Sequence, residues 1–156
     1  MQKITPFLWF DDTAEQAMNF YVSIFENSNT GKVTRYGDAG PGPKGTVMSV
    51  TFQLDGQEFF APNGGPHFTF TPAISLFVTC ETHEEVDELW GFPPAARSSV
   101  AAGSRTSMAL SWQIVPSVLN ELLHGGDPAK SSRVMTALMQ MDKLDIKGLQ
   151  QAADQG

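Results

Sequence analysis

The sequence has very little cysteine, and this limits the chemistry open to it. Cys80 is the single cysteine among 156 residues, which excludes an internal disulfide and a cysteine-rich metal site. It also lies in an apolar, strand-like pattern, where a free thiol usually packs as a small hydrophobic side chain. We therefore predict that Cys80 is inert packing rather than a reactive nucleophile.

Basic side chains are scarce as well. Ten Lys and Arg against 17 Asp and Glu give a formal net charge of -7, and the sequence pI is about 4.8. A nucleic-acid partner requires Lys and Arg clustered on one face. We expect no nucleic-acid binding.

Long apolar runs are absent too. No stretch approaches the roughly 20 apolar residues of a membrane-spanning helix, and the N-terminus lacks the three regions of a signal peptide. These absences predict a soluble, cytoplasmic protein with no membrane partner. At 17.0 kDa the chain has the size of one domain or of two fused half-domains.

Residues 5–25 are the most informative segment that is present. A short apolar strand leads into a helix, for which Asp12 is the predicted N-cap and Glu15 its partner three residues later. One face of that helix is apolar at helical spacing. Its members are Ala14, Ala17, Met18, Tyr21, Ile24 and Phe25.

Three further strands are predicted in this half. A short strand at residues 32–36 precedes a loop at 37–45, which is too rich in Gly and Pro to be anything else. Residues 48–54 alternate between apolar and polar side chains, and Asp55-Gly56 predicts a hairpin to residues 57–61. The order is β-α-β-β-β.

A second unit begins in the same way. Residues 73–80 read as a strand, the sequence Thr82-His-Glu-Glu85 is a capping box for a helix to Trp90, and residues 110–116 read as a closing strand. The repeated β-α opening predicts an internal duplication, in which two modules pair their sheets around a concave space.

The end of the chain is predicted to be helical. Asp127-Pro128 forms an N-cap and first helical residue ahead of a helix at 133–141, and a last helix starts near Asp145. The residues expected to pack these helices are Val134, Met135, Leu138 and Met139. The predicted domains are tandem modules over 1–116, divided at about 66/67, and a helical extension over 117–156.

Several of these phrases together resemble one known family. The N-terminal unit, the turn at 62–66 and residues 68–77, 110–116 and 134–149 resemble the PhnB-like branch of the vicinal oxygen chelate superfamily. That superfamily includes glyoxalases, bleomycin-resistance proteins and extradiol dioxygenases. The resemblance implies an α+β fold, with paired β-α-β-β-β modules forming a concave, partly open mixed sheet and C-terminal helices. The resemblance also implies a homodimer. Members of this PhnB-like branch are often labelled demethylubiquinone methyltransferases.

Residues 91–109 depart from that resemblance, although the second module should supply two strands there. The segment has no period of two and few β-branched residues. Relatives look to carry a Trp-Leu-Lys-Asp-Lys-Tyr-Gly run here, which the nucleotides encoding residues 103–109 can encode in a neighbouring frame. We hypothesise a compensated frameshift, natural or a sequencing error, and the alternative is a diverged surface loop. The gene sequence of the segment decides between them.

The resemblance also implies where a metal would be held. Metal-dependent members use His, Glu or Gln from the first and last strands of each module, and here those places hold Thr5 or Pro6, a residue within 59–63, Ser75 and Gln113. Only Gln113 could be a ligand, and one amide oxygen does not hold a transition metal. We predict no metal site and no cofactor, with His67, His83 and His124 at the surface.

Catalytic motifs are not evident either. Residues 40–45 match G-x-G-x-x-G formally, but a strand follows instead of the helix that a nucleotide site needs. A methyl donor of the nucleotide type is therefore unsupported. The sequence contains no G-x-S-x-G nucleophile elbow, and we assign no catalytic residue.

A ligand pocket is the remaining functional prediction. Side chains on the strand faces opposite the helices can line a concave space, and aromatic walls with a few polar groups are usual for small-ligand sites. The alternative is that these side chains only fill the sheet interface, and Trp112 on the other face is expected in the core. The pocket candidates are Phe7, Trp9, Ser49, Thr51, Gln53, Ser75, Phe77 and Gln113.

Two functions fit these observations. The first is a metal-free protein that binds a small, aromatic or amphipathic molecule. The second is an enzyme of the same superfamily that isomerises, cleaves or transfers a group on a small metabolite. Tight, stoichiometric binding of nickel, zinc or iron would favour the second.

Overall fold

A computed structural model of the chain describes residues 2–91 and 110–156. These fall into two units, Met1–Phe70 and Thr71–Gly156. The segment 91–109, for which we hypothesise a frameshift, lies outside the described residues except for Gly91. The division predicted at 66/67 and 116/117 stays a prediction.

The first unit contains one helix and three strands. They are α1 (Ala14–Ile24), β1 (Asn29–Arg35), β2 (Val47–Leu54) and β3 (Gln57–Pro62). The strands form an antiparallel sheet in the order β1-β2-β3.

The predicted hairpin between β2 and β3 is confirmed. Asp55 and Gly56 both have positive φ, 44° and 80°, which is the signature of a type I′ turn whose twist matches the flanking strands. The turn fixes the register, so that Phe52 lies opposite Phe59 and Thr51 lies opposite Phe60. Register in turn decides which side chains share a face of the sheet.

The opening segment lies parallel to β3 but is only an irregular strand. Isolated bridges join Phe7 to Phe60 and Phe10 to Asn63, and the Leu8 amide donates to the Phe60 carbonyl at 2.9 Å. Pro62 has no N–H to donate to the Leu8 carbonyl, which interrupts the ladder between the two bridges. We call residues 6–10 the edge segment.

Helix α1 is capped differently from the prediction. It starts at Ala14, Thr13 occupies the N-cap without a side-chain bond, and Asp12 lies one residue too early. The Ala14 amide instead donates to Oδ1 of Asn63 at 2.9 Å. The prediction of Asp12 as N-cap was therefore wrong, because a residue 49 positions away supplies the acceptor.

The apolar core of this unit includes the sheet face toward α1. Tyr21 stacks against Phe52 with ring centroids 6.5 Å apart, and Phe52 stacks on Phe59 at 5.2 Å. Met48 departs from the predicted apolar face and is 37% exposed, at the start of β2. The other buried apolar side chains of the unit are Leu8, Phe10, Ala14, Ala17, Met18, Val50, Leu54 and Ala61.

The second unit opens with a strand, a helix and a strand. They are β4 (Ser75–Cys80), α2 (His83–Gly91) and β5 (Ser111–Pro116), and β4 pairs with β5 in parallel. The predicted capping box is confirmed, since the Glu85 amide donates to the Thr82 hydroxyl at 3.2 Å and the Glu85 carboxylate accepts from the Thr82 amide at 3.4 Å. In each unit, therefore, a first segment lies parallel to the last described strand.

Three helices complete the second unit. Helix α3 (Ser117–His124) follows β5 directly and was not predicted, while α4 (Pro128–Leu138) and α5 (Ile146–Asp154) start at their predicted caps. Asp127 accepts from the amides of Ala129 and Lys130, and Asp145 accepts from that of Lys147. Helix α4 ends at Leu138, three residues before the end predicted at position 141.

The helices pack through a narrower set of residues than predicted. Leu119, Val134, Leu149 and Ala153 form a buried cluster, with Leu138 partly buried against it. Met135 and Met139 are 45% and 74% exposed, so their predicted packing role was wrong. Val134 and Leu138 lie four residues apart on the packed stripe, and the two methionines occupy the neighbouring stripe.

The α+β fold with C-terminal helices is confirmed. The sheets are partly antiparallel and partly parallel, which is a mixed architecture with helices packed beside strands. Within the described ranges, no helix is both long and apolar enough to cross a membrane.

Candidate functional site

The sheet of the first unit has one face covered by α1 and one face directed away from it. Phe52 lies on the α1 side, so its neighbours in sequence, Thr51 and Gln53, point the other way. Thr51 lies opposite Phe60, and Phe60 is bridged to Phe7. We call this side of the first sheet the open face. The predicted candidates Phe7, Trp9, Ser49, Thr51 and Gln53 all belong to it by register.

Four aromatic rings form two pairs at this face. Phe7 and Phe60 stack with centroids 5.3 Å apart and an angle of 17° between the rings. Trp9 and Phe68 meet edge to face at 5.0 Å and 82°. We call these four rings the aromatic wall. Phe7 is 60% exposed and Phe68 is 65% exposed.

The sequence prediction missed half of the wall. Phe60 was predicted only as part of a strand, although its alternation with Phe59 signals one ring on each face. Phe68 lies in an irregular segment, where no periodicity indicates direction. It reaches Trp9 because the turn at 63–66 folds back toward the edge segment, where the Gly64 amide donates to the Phe10 carbonyl at 2.9 Å.

The Trp9 side chain is held on two sides. Its indole N–H donates to the Gly65 carbonyl at 2.9 Å. Its six-membered ring lies so close to Gly64 that a Cβ at that position would overlap it. Such contacts restrict both side-chain torsions, so the indole is a pre-positioned surface.

The predicted polar candidates of this unit differ in how far they are already bonded. The Thr51 hydroxyl accepts from the Lys32 amide at 2.8 Å, at a bulge in β1. Gln53 uses both ends of its amide, accepting from Asn29 at 2.9 Å and donating to the Gly56 carbonyl at 3.1 Å. Ser49 is buried. Thr51 and Gln53 therefore also stabilise the sheet.

The candidates of the second unit share one face of the β4–β5 pair. Phe77 lies opposite Gln113, and Ser75 lies two residues earlier on the same face, opposite Ser111. Phe77 is 66% exposed and Gln113 is half-buried. Trp112 lies on the other face and is buried, as predicted. Phe77 and Gln113 are thus the counterparts, in the second unit, of Phe7 and Phe60.

Groups that could hold a metal are dispersed. Among the described residues, no cluster of three or more His, Cys, Asp or Glu side chains is arranged to hold an ion, and residues 92–109 contain none of these types. His67 and His124 are exposed, and the His124 ring bonds the Asn120 carbonyl at 3.0 Å. His83 is half-buried and lies 3.7 Å from the Asp87 carboxylate.

Cys80 has the environment of an unreactive thiol. The side chain is buried at the end of β4. Burial, with smaller contributions from Glu85 and Glu81, raises the pKa of Cys80 to about 11. The thiolate, which is the nucleophilic form, is therefore disfavoured at neutral pH. The predicted packing of Cys80 as a buried side chain is confirmed.

Asp87 joins α2 to the segment between α4 and α5. Its carboxylate bonds the Lys143 ammonium and lies near His83. The Lys143 hydrogen bond holds the pKa of Asp87 below its usual range. The Asp87 carboxylate is exposed, so its ion pair with Lys143 is a surface salt bridge and not a charged site in a cleft.

The glycine-rich match at 40–45 forms part of a hairpin loop. The Tyr36 carbonyl accepts from the Gly45 amide at 2.8 Å, and the Tyr36 ring packs against Gly40 and Gly42. The loop leads into β2, so its glycines do not open a helix. This agrees with the prediction that the match is not a nucleotide site.

The chain is similar to several known proteins. The profile of a family described as 3-demethylubiquinone-9 3-methyltransferase matches residues 2–115. A Bacillus cereus structure, described as a candidate 3-demethylubiquinone-9 3-methyltransferase and PhnB protein, is 41% identical with a TM-score of 0.59. That match covers 74% of this chain and 100% of the B. cereus chain.

Two more distant structures add less. A Pseudomonas aeruginosa protein is 16% identical with a TM-score of 0.52, over 74% of this chain and 98% of its own, which is a likeness of fold alone. A Staphylococcus aureus protein is 28% identical with a TM-score of 0.35, over 73% and 95% of the two chains. No curated protein matches the chain significantly.

Proposed function

Because this chain belongs to the 3-demethylubiquinone-9 3-methyltransferase-like (PhnB) family, we propose that it binds a small molecule against the open face of its first sheet. The observation that carries the proposal is the aromatic wall. Phe7 and Phe68 expose most of their surface, whereas Phe52 and Phe59 on the covered face of the same sheet are buried. Exposed apolar patches of this kind are typical of binding sites.

The second unit supports a similar arrangement. Phe77 is exposed beside Gln113 on the first and last strands of its module, which are the positions that Phe7 and Phe60 occupy in theirs. We propose that Ser75, Phe77 and Gln113 contribute to ligand binding as well. Gln113 supplies an amide donor and acceptor of the kind that fixes a ligand's orientation.

We propose that binding does not depend on a metal. The family resemblance implies four ligand places, held here by Thr5 or Pro6, a residue within 59–63, Ser75 and Gln113, and none of them supplies an imidazole, thiolate or carboxylate. Transition metals in proteins require several imidazole, thiolate or carboxylate groups at one point.

Methyl transfer, which the family description names, is not part of the proposal. The chain's single G-x-G-x-x-G match leads into β2, and its loop closes on the Tyr36 ring. A nucleotide-type cofactor site of this motif needs a helix that begins directly after the glycines. The chemistry of the described residues supports recognition of a ligand more directly than transfer of a group.

A thermal-shift screen of small metabolites on the full chain tests the proposal. Compounds that bind the folded state raise its melting temperature by mass action. The matched variants are Phe7→Ser, which alters the wall, and Met139→Ser, which alters an exposed apolar residue of the second unit. Hits should stabilise the wild type and Met139→Ser but lose most of their effect on Phe7→Ser. Equal stabilisation of all three proteins would place the binding site elsewhere.

The homodimer implied by the family resemblance is also a proposal. Light scattering of the purified protein should give twice the 17.0 kDa chain mass. A mass equal to that of one chain would contradict the homodimer proposal. It would not affect the binding proposal, which the thermal-shift screen tests separately.

A further inference from the structure

The segments that carry the aromatic wall are almost free of charge. The edge segment, β2 and β3 together contain one charged residue, Glu58, and it is negative. Glu58 lies opposite Gln53 on the open face, two residues along the strands from the Phe60–Thr51 pair. The charge nearest to the wall along these strands is therefore a carboxylate.

The nearest cations in the chain around these segments are Lys3, Lys32 and Arg35, and Lys3 follows Gln2, whose side chain accepts from the Glu58 amide at 3.1 Å. Arg35 in β1 forms an ion pair with Glu15 of α1 at 2.9 Å, on the covered side of the sheet. Lys32 is also in β1, which β2 separates from β3, so it lies about 10 Å from the Phe60 strand at ordinary strand spacing. His67 is next to Phe68 in an exposed turn and is the one titratable group adjacent to the wall in sequence.

The wall is also built for flat contact. The indole of Trp9 is fixed by the Gly65 carbonyl and by the glycine at position 64. Phe7 is stacked on Phe60 and remains 60% exposed, and Phe68 remains 65% exposed, so ring surface is accessible at each pair. A pre-positioned ring stacks on a ligand without losing much rotational freedom.

We propose that the aromatic wall selects a planar ring that carries no negative charge. This inference rests on the proposed function and adds the chemical class of the ligand. An anionic group at the wall would lose water on binding, and Glu58, the charge within β3, would repel it. Ring faces, by contrast, attract uncharged rings through stacking and cations through their negative faces.

A series of probes with one ring and three charges tests the inference. The probes are 2-methoxynaphthalene, naphthalene-2-sulfonate and trimethyl(2-naphthyl)ammonium, added to full-length ¹⁵N-labelled protein at about pH 8, where imidazoles are generally uncharged. The readout is the Trp9 indole N–H signal, identified among the three tryptophans by its loss in Trp9→Phe.

The uncharged and cationic probes should move the Trp9 signal, and the sulfonate should bind about tenfold more weakly. Glu58→Gln should narrow that gap. Equal or tighter binding of the sulfonate would overturn the proposed ligand class while leaving the site in place. A Trp9 signal that no probe moves would also overturn it, whereas the proposed function itself fails only if the metabolite screen finds no hits sensitive to Phe7→Ser.

Discussion

At the scale of single residues, the missing side chain of Gly64 decides where the Trp9 ring can lie. The indole occupies the space that a Cβ would take, and its N–H bonds the next carbonyl in the turn. The backbone at Gly64 does not have positive φ, unlike that at Gly65. Its requirement for glycine is therefore one of space and not of backbone conformation.

Gly64→Ala should destabilise the protein and displace the indole. Forcing a methyl group into a packed position costs about 1–3 kcal/mol. Gly37→Ala is the control, because a Cβ there has open space around it and the backbone is not left-handed. Urea unfolding should show a lower midpoint for Gly64→Ala and little change for Gly37→Ala. Equal midpoints would mean that Trp9 is not held against the turn.

Cys80 gives a prediction about alkaline pH. Its pKa is raised from 9.0 to about 11 in the folded protein, mainly by burial. The unfolded thiol ionises first, so the stability that the neutral buried thiol contributes is full below pH 9.0 and is lost as pH rises toward about 11. Relative to Cys80→Ala, the wild type should lose roughly 1 kcal/mol of unfolding free energy one pH unit above the ordinary pKa.

Urea unfolding of both proteins across that pH range measures this difference. Lysines and tyrosines titrate in both proteins, so their effects cancel in the comparison. Identical pH profiles would show that the folded thiol is as accessible to solvent as the unfolded one.

At the scale of elements, Asn63 joins a helix to the turn beside the aromatic wall. Its side chain accepts from the Ala14 amide at 2.9 Å and donates to the carbonyls of Asp12 at 3.2 Å and Val47 at 3.3 Å. One residue thus connects the start of α1, the start of β2 and the turn after β3.

Asn63→Ala should destabilise the protein far more than Asp12→Ala. The first change removes the acceptor at the helix start and leaves two backbone carbonyls without their donor, at a cost of about 1–3 kcal/mol. The second removes an exposed side chain that does not cap the helix and should stay within about 0.5 kcal/mol of wild type. Thermal or urea unfolding distinguishes them, and a larger effect of Asp12→Ala would restore the local cap expected from the sequence.

The contrast between these caps shows what the sequence could predict. Three helix caps form between residues no more than three positions apart, so a local sequence pattern predicts them. They are the Thr82–Glu85 capping box and the Asp127 and Asp145 N-caps. The Asp55-Gly56 hairpin is equally local. The Asn63 cap and the Trp9–Phe68 contact depend on residues brought together by the fold, and no local pattern indicates them.

Periodicity also limited the prediction of packing. It identified the buried side of β2, and it placed Phe7 and Trp9 with Ser49, Thr51 and Gln53 on the open face. It could not distinguish Val134 from Met135, since adjacent stripes of a short helix are both apolar in sequence. Only the positions of α3 and α5 decide which stripe is covered.

At the scale of the whole molecule, the two units repeat one arrangement. In each, a first segment lies parallel to the last strand, and a helix follows the first segment. The repeated positions have different chemistry, since Phe60 faces Phe7 in one unit and Gln113 faces Phe77 in the other. Within the described residues, the two units therefore share a strand–helix arrangement but place different side chains at the matching positions.

Titration with nickel, zinc or iron(II) should accordingly show no stoichiometric binding to the full chain and no rise in melting temperature. The described residues hold no suitable cluster, and residues 92–109 contribute no His, Cys, Asp or Glu. Calorimetry and thermal unfolding measure both quantities. Tight one-to-one binding with a stabilised fold would contradict the metal-free proposal.

Intermolecular NOEs from bound 2-methoxynaphthalene test the central claim most directly, because they report which protein protons touch the ligand. The claim predicts contacts from the naphthalene ring to the ring protons of Phe7, Trp9, Phe60 or Phe68. Contacts confined to the C-terminal helices, or no contact with any of the four rings, would contradict it.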